Sequence, residues 1–473
     1  MFVGQASVPA LIREKTKMVL RDSRARRVAL FLALSATFLP HVAGAASGDE
    51  HWSARYDNLG LNGVSYALTD DGTGKLFAGG DFTIAGGDTV NRIGRFDGNY
   101  WAPYGTGIGG TVRALAVYKG DLIAGGMFSS AGGHTISNIT RWNGSDWVAM
   151  GAGLNGAVDA LVLKDSTLYA GGEFTQSGAT SVKFIARWDG SNWTALGGGL
   201  SASCYALAVH NNELYAGGDF QSAGGNAAKY IARWTGSAWT ALGAGLAYDC
   251  FALASYNGNL YAGGAFSTPG TSIARWNGST WSALGAGLDG YVTAFDVYNG
   301  SLIIGGLFLT SGGGPSYKHV VRYNGSSFSA MGSGAADEVF AVKACGVSLF
   351  VGGAFQQAGG KSSKFIGEWD DNVVGVGDTP FALALDAPVP SPSHGASTFS
   401  FRLSQPSQVR LDLIDVRGRR VTTLVDGYLT AGRHEAHWNG RDASGGGVSA
   451  GVYFARLTDG RTERLQRVVR IGD

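Results

Sequence analysis

A double glycine, one variable residue and a phenylalanine recur seven times along this chain of 473 residues. The copies are Gly79-Gly80-Asp81-Phe82 and its counterparts at 125–128, 171–174, 217–220, 263–266, 305–308 and 352–355. They are spaced by 46, 46, 46, 46, 42 and 47 residues. A fixed period of this length means that one supersecondary unit is stacked repeatedly, each copy covering the apolar face of the next. Within a unit, best read over 203–246, four segments follow one another: SCYALAVHN, ELYAGGDF, KYIARW and SAWTALGAGL. Each is short, rich in aromatic or β-branched residues and bounded by Gly, Asn or Asp, as strands between tight turns are. Glycine supplies 76 residues and proline only 10, with 11% aromatics and 45% apolar residues, which excludes collagen and a disordered chain.

Four strands in about 46 residues match the blade of a β-propeller. The seventh unit stops at Trp369-Asp370-Asp371 and lacks its W-x-A-L-G-x-G-L strand, while a fragment like that strand, Asn58–Gly63, precedes the first unit. An N-terminal strand completing the last blade would remove the exposed edge of an open array. The match has an offset, because Trp52 lies eight residues before Gly60 whereas Trp147 lies four before Gly151. The expected fold is therefore all-β: a seven-bladed propeller of four-stranded blades over 46–378 with shared closure, an open solenoid being the alternative. The third and fourth strands join through Asn143-Gly144, Asp189-Gly190 and their equivalents, which predicts two-residue type I′ hairpins. On that register Trp142 and Trp147 lie diagonally on one face, as do Trp188/Trp193, Trp234/Trp239 and Trp276/Trp281. A pair present in nearly every copy reads as packing between repeats rather than as a sugar platform.

The flanks differ from the repeats. Residues 1–45 read as a secretory signal peptide: Arg24, Arg26 and Arg27, an apolar run over 28–40, then Ala43-Gly44-Ala45, with Met18 as an alternative start. The run is too short to span a bilayer. Residues 379–397 hold four of the ten prolines and read as a linker, and 398–473 carry six or seven short strands, the pattern of a small β-sandwich. Basic and acidic residues number 7 and 2 over 1–45, 18 and 25 over 46–385, and 12 and 9 over 386–473. A mildly acidic centre without a basic run speaks against nucleic acid. Cys204 and Cys250 occupy sites filled by Val112, Val158 and Val292 in other copies, so each reads as a small buried hydrophobe. A disulfide between them in an oxidising compartment is the alternative, and Cys345 is left without a partner.

Chemistry-bearing motifs are sparse. The eight histidines fall at unrelated positions, and no zinc-protease, P-loop, nucleophile-elbow or EF-hand pattern occurs. No catalytic, metal or cofactor residues are therefore assigned. The residues after Gly-Gly (Asp81, Met127, Glu173, Asp219, Ala265, Leu307, Ala354) include three acids, read as solvated rim positions. Arg95, Arg141, Arg187, Arg233, Arg275 and Arg322 recur at one site in six units, with Glu368 in the seventh. They are candidates for binding an anion or an acidic glycan, against a structural reading in which each stacks or bonds within the scaffold. The loops after the Gly-Gly-x-Phe strand, such as 83–92, 129–138 and 309–319, vary most and are the expected ligand-bearing rim.

The repeat pattern resembles that of bacterial secreted, kelch-like propeller proteins and of the fungal cortical cell-polarity marker family. The C-terminal pieces Val409–Asp412, Asp415–Arg419, Ala431–His434, Trp438–Arg441 and Gly451–Phe454 resemble the immunoglobulin-like domain shared by flagellar hook-cap proteins and the C-terminal sorting domains of type IX secretion cargo. These resemblances imply a bacterial protein, secreted or associated with the outer membrane, that uses the secretion machinery as a partner. The expected function is a monomeric binding or adhesion module for an extracellular glycan or surface protein, not an enzyme. A polysaccharide lyase or hydrolase is the alternative.

Overall fold

The computed structural model describes residues 48–371, 383–386, 388–403, 406–430, 432–460 and 463–471. The segment read as a signal peptide lies outside them. The chain is all-β. Residues 65–369 form seven main antiparallel sheets in sequence order, six of four strands and a seventh of three, with a two-stranded ribbon between the second and third strands of five of them. Sheet 2 is representative, with strands Thr111–Tyr118, Asp121–Met127, Ile139–Trp142 and Trp147–Ala149. The first strand of each sheet packs on that of the next, and Val339–Cys345 of sheet 7 packs on Ser65–Asp70 of sheet 1.

The double glycine has two separate causes. A methyl group added at the first glycine would collide with the following sheet: Gly79 meets Val112 Cγ1 at 2.4 Å, Gly171 meets Cys204 Sγ at 2.6 Å and Gly305 meets Val339 Cγ1 at 2.6 Å. The same contact joins the last sheet to the first, where Gly352 lies 2.7 Å from Ser65 Oγ on this measure. A methyl group at the second glycine would strike the carbonyl oxygen that opens its own first strand, at 2.0 Å for Val64 and 2.1 Å for Thr111. There the register slips by one residue, for example between Val112 and Ala114, and the bulge brings the two backbones together. Cys204 and Cys250 are buried free thiols in the valine position, and burial pushes both well above the ordinary thiol pKa.

The third-to-fourth-strand hairpins depart from the sequence expectation. Trp142 pairs directly with Trp147, not with Ser145, so four residues form the loop and the two indoles are opposite rather than diagonal. The cause is the Asn143 side chain, whose Oδ1 accepts from the amides of Ser145 (3.0 Å) and Asp146 (2.9 Å). Only Gly144 has positive φ, +102°, whereas a type I′ turn needs two such residues. The paired indoles still share a face, with ring centroids 5.1–5.4 Å apart in four sheets. Three fourth-strand indoles reach into the preceding unit: Trp147 Nε1 donates to Tyr104 O (2.9 Å), Trp239 to Leu196 O (2.9 Å) and Trp281 to Leu242 O (3.0 Å), whereas Trp193 Nε1 is buried without a partner.

Trp52 repeats that contact at sheet 7. It bridges Trp369 and donates Nε1 to Met331 O at 2.9 Å, fully buried. The offset noted in the sequence is absorbed by a single 3₁₀ turn, Arg55–Asp57, before Leu59 accepts from the Trp101 indole at 2.7 Å. Glu368, which stands where six units have arginine, accepts from Arg55 Nη2 (2.5 Å), Tyr56 OH (3.2 Å) and Ser348 Oγ (2.7 Å). The charge reversal at this position is thus answered from the N-terminal segment.

The C-terminal domain packs a three-stranded sheet (Ala384–Leu385, Ser397–Leu403, Gly432–Trp438) on a four-stranded one. In the second sheet the spatial order is Arg420–Leu429, Ser407–Asp415, Gly451–Thr458, Glu463–Arg470. Phe399, Phe401, Leu411, Leu413, Trp438 and Leu457 fill the space between them.

The seam between sheets 7 and 1 has a testable weakness. Ser65 is fully buried and its hydroxyl has no hydrogen-bond partner, at a site filled elsewhere by valine or cysteine. Ser65→Val should stabilise the fold by about 1–2 kcal/mol, by removing an unmet hydroxyl and adding buried methyl surface. Gly171→Ala should destabilise it by about 1–3 kcal/mol through overlap with Cys204. Denaturant midpoints of the two variants against the parent would check both signs.

Candidate ligand-binding face

Placing the seven units on one another separates constant positions from variable ones. The glycines, the following phenylalanine and the hairpin aromatics hardly change, whereas four positions take almost any residue. The first precedes the first strand's valine site: Val64, Thr111, Ala157, Ser203, Asp249, Tyr291 and Glu338. The second follows that site, in the bulge: Tyr66, Arg113, Asp159, Tyr205, Phe251, Thr293 and Phe340. The third follows the double glycine. The fourth ends the loop before the third strand: Arg92, Asn138, Phe184, Tyr230, Ser272, His319 and Phe365. In an antiparallel sheet the start of the first strand, the end of the second and the start of the third lie at the same end, so all four positions cluster there.

Members of all four line one cavity of about 1130 Å³ between sheets 1, 2 and 7, among them Tyr66, Asp81, Arg92, Glu338, Phe340 and Phe365. The rings of Tyr66 and Phe340 stand 5.5 Å apart at 37°. Asp81 is held from two sides, by Thr111 Oγ1 at 2.5 Å and Tyr66 OH at 3.3 Å. Burial, and then the Asp81 carboxylate, push the Tyr66 phenol well above its ordinary pKa, so it keeps its proton and acts as a donor. The arrangement recurs in sheet 4, where Tyr205 OH donates to Asp219 at 3.1 Å and its ring lies 5.7 Å from Phe251. Between them Arg113 bonds Asp159 at 2.9 Å and Glu173 at 3.5 Å, with its side chain only 9% exposed. Burial opposes the Arg113 charge, but the two carboxylates outweigh that cost and raise its pKa.

The fourth variable position is conformationally demanding. Arg92, Asn138, Phe184, Tyr230, Ser272, His319 and Phe365 all have φ between +61° and +70°. Each such residue costs about 1 kcal/mol relative to an extended one. A shared pair of backbone bonds holds the conformation: Arg92 N donates to Phe82 O (2.7 Å) and Arg92 O accepts from Gly80 N (3.1 Å), with the same pair at Tyr230 and Phe365. Because the backbone fixes the geometry, the side chain is left free to vary.

The six candidate arginines do not converge. Each lies on the third strand of its own sheet, cross-strand from a second-strand residue such as Tyr215 for Arg233. Arg141 pairs with Asp121 (3.3 Å) and Arg233 with Glu213 (3.1 Å), both partly exposed. Arg95 and Arg275 lie beside the phenols of Tyr104 and Tyr261, and Arg187 is exposed. Arg322 bonds Asp371 beyond the end of sheet 7 at 2.8 Å and covers the Tyr298 ring. The expected ligand-bearing loops fare differently from one another: Thr83, Arg92, Ser129, Ser137 and Asn138 line the cavity, whereas 309–319 contributes nothing to it. The acids after Gly-Gly, read as solvated rim, include Asp81 at the cavity wall. Their signal was variation inside an otherwise fixed pattern. Among the described residues, no three His, Cys, Asp or Glu side chains gather as metal ligands.

Comparison with known proteins adds one family match: residues 379–462 match the FlgD Ig-like domain. No curated protein matches the sequence. Among solved structures, the WD40 β-propeller domain of Doa1 shows a TM-score of 0.46 at 12% identity, covering 68% of this chain and 97% of that one. PorZ, described as an essential bacterial surface component of the type IX secretion system of Porphyromonas gingivalis, shows 0.40 at 14% identity. That match covers 86% of this chain and 59% of PorZ. Dimeric latent PorU from the same organism shows 0.18 at 19% identity, over 27% of this chain and 12% of PorU. No helix among the described residues is long and apolar enough to cross a membrane.

The arginine site can be tested through stability. Burial pushes the Asp371 carboxyl up, but hydrogen bonds from Arg322, Trp369 and Asn299 hold it below the usual range. A depressed carboxylate contributes stability above its unfolded pKa of about 3.9 and loses it as pH falls through the folded value. Arg322→Ala should cost about 1–2 kcal/mol at neutral pH and flatten the stability loss below about pH 4. Arg187→Ala should change stability by less than about 0.5 kcal/mol. Melting curves at neutral and acid pH would separate the two variants.

Proposed function

We propose that this chain is a secreted or cell-surface binding module. Its seven sheets are the blades of a closed propeller, Trp52 and its neighbours complete the seventh blade, and the ligand enters at the mouth of the central channel. One observation carries this reading: residues that vary between otherwise near-identical repeats line a single cavity that carries aromatic faces and carboxylates. Loops and edges presented by a rigid scaffold are where binding residues are expected, and the scaffold positions here are spoken for by packing. The FlgD Ig-like match and the basic-apolar lead at residues 24–40 support export, with the C-terminal sandwich as the sorting signal.

The alternative, cleavage of an extracellular polysaccharide, would recruit the same tyrosines and carboxylates. It is the weaker reading because a tyrosine base needs a lowered pKa, and that of Tyr66 is raised. Purified protein should bind intact surface material or glycans without releasing new chain ends, and Phe340→Ala should reduce binding at least about tenfold with an unchanged melting temperature. Turnover of any glycan, abolished by Asp81→Asn, would replace the binding module with an enzyme. Intact-mass analysis of protein from its native host should find an N-terminus near Ala46. Loss of the chain beyond about residue 390 would mark the sandwich as a removable sorting signal, and a sandwich retained after export would make it an anchor.

A further inference from the structure

The four variable positions carry six carboxylates (Asp81, Asp159, Glu173, Asp219, Asp249 and Glu338) against two arginines, Arg92 and Arg113. Arg113 is already engaged by two of those acids, and Arg92 Nη1 donates to Ile108 O at 3.3 Å. The only histidine in the set, His319, is partly buried, which lowers its pKa and keeps it neutral near pH 7. Of these charged residues Asp81, Glu338 and Arg92 line the cavity between sheets 1, 2 and 7, so an anionic ligand would meet two carboxylates against one arginine there. A ligand bearing protonated amines would meet the opposite: carboxylates for the charge, and aromatic faces for the cation and for the apolar face of a ring.

The cavity adds a shape constraint. Tyr66, Phe128, Phe340 and Phe365 are its aromatic lining residues, and Asp81 and Glu338 line it as well, so charge and stacking act on one ligand together. Asp81 is already oriented by Thr111 and Tyr66, which removes part of the ordering cost of binding. Ser129 and Ser137 also line it and supply hydroxyls. A volume near 1130 Å³ lies at the upper end of small-ligand sites and suits several linked rings rather than one.

We infer that the cavity between sheets 1, 2 and 7 binds an oligosaccharide whose sugars carry free, protonated amino groups. This rests on reading the mouth as the ligand site and adds the chemical class. Flat apolar ring faces, hydroxyls and ammonium groups in one ligand match the stacked aromatics, serines and carboxylates, whereas a basic peptide uses only the last.

The test is calorimetric titration of the full-length protein with three probes: a glucosamine hexamer, its fully N-acetylated counterpart and hexalysine. The glucosamine hexamer should bind at least about tenfold tighter than the acetylated one, and raised salt should weaken it. Glu338→Gln should reduce that selectivity, and Phe340→Ala should weaken both hexamers, each with an unchanged melting temperature. Equal binding of the two hexamers, lost in Phe340→Ala, would overturn the amine assignment while leaving the binding module standing. Hexalysine binding as tightly as the glucosamine hexamer would overturn the saccharide assignment. Binding of none of the three, or binding untouched by both variants, would overturn the inference as a whole.

Discussion

Everything in the repeat region depends on how closely one sheet can approach the next. The first glycine of each pair lets the valine-site side chain of the following sheet lie directly on the second strand, and the contact is repeated seven times, the last between Gly352 and Ser65. Any side chain at those glycines would hold the inner strands apart. The aromatic pairs farther out work on the same interface, with the indoles of Trp52, Trp101, Trp147, Trp239 and Trp281 each anchored to a carbonyl of the preceding segment. Small residues near the inner strands and large ones farther out give each sheet the taper of a wedge.

The same interface explains why the variable positions gather at one end. The bulge at the valine site and the positive-φ residue before the third strand are fixed by backbone hydrogen bonds that are indifferent to side-chain identity. They are therefore the positions at which sequence can drift without loss of fold. Tyrosine, arginine, aspartate, phenylalanine and threonine all occupy the bulge position in this one chain. Seven copies of a scaffold thus supply a set of side chains chosen independently of packing.

Much of this architecture was legible in the sequence. The period, the four strands per unit and the incomplete seventh unit all follow from spacing and turn residues, and the sandwich strands fall where alternation placed them. Two things were not legible, for physical reasons. Asn-Gly supports a type I′ turn only if asparagine adopts positive φ, and here the Asn143 side chain caps a longer loop instead, a choice made by hydrogen bonds that spacing does not encode. The cavity lining was missed because its residues share no type: the eye is drawn to the recurring arginines and passes over Tyr66, Glu338 and Phe340, whose positions vary from repeat to repeat. The offset at Trp52 is intermediate. The sequence pointed to an N-terminal segment beside the seventh unit, but in place of a full strand it supplies a single Trp52–Trp369 bridge followed by a 3₁₀ turn.

The pairing of Trp52 with Trp369 also sets an order of events. The two residues are separated by 317 positions, and bringing such distant points together costs about 5 kcal/mol of chain entropy, more than any neighbouring pair of sheets must meet. Sheets 1 to 6 need only local contacts to assemble as the chain becomes available, so the contacts of sheet 7 with sheet 1 and with Trp52 form last. A chain threading through a pore from its N-terminus would thus emerge with residues 48–61 waiting for a partner still on the other side. Until residue 369 has passed, the stacked sheets keep two open ends, and Trp52 meets its partner while residues 370–473 have still to follow.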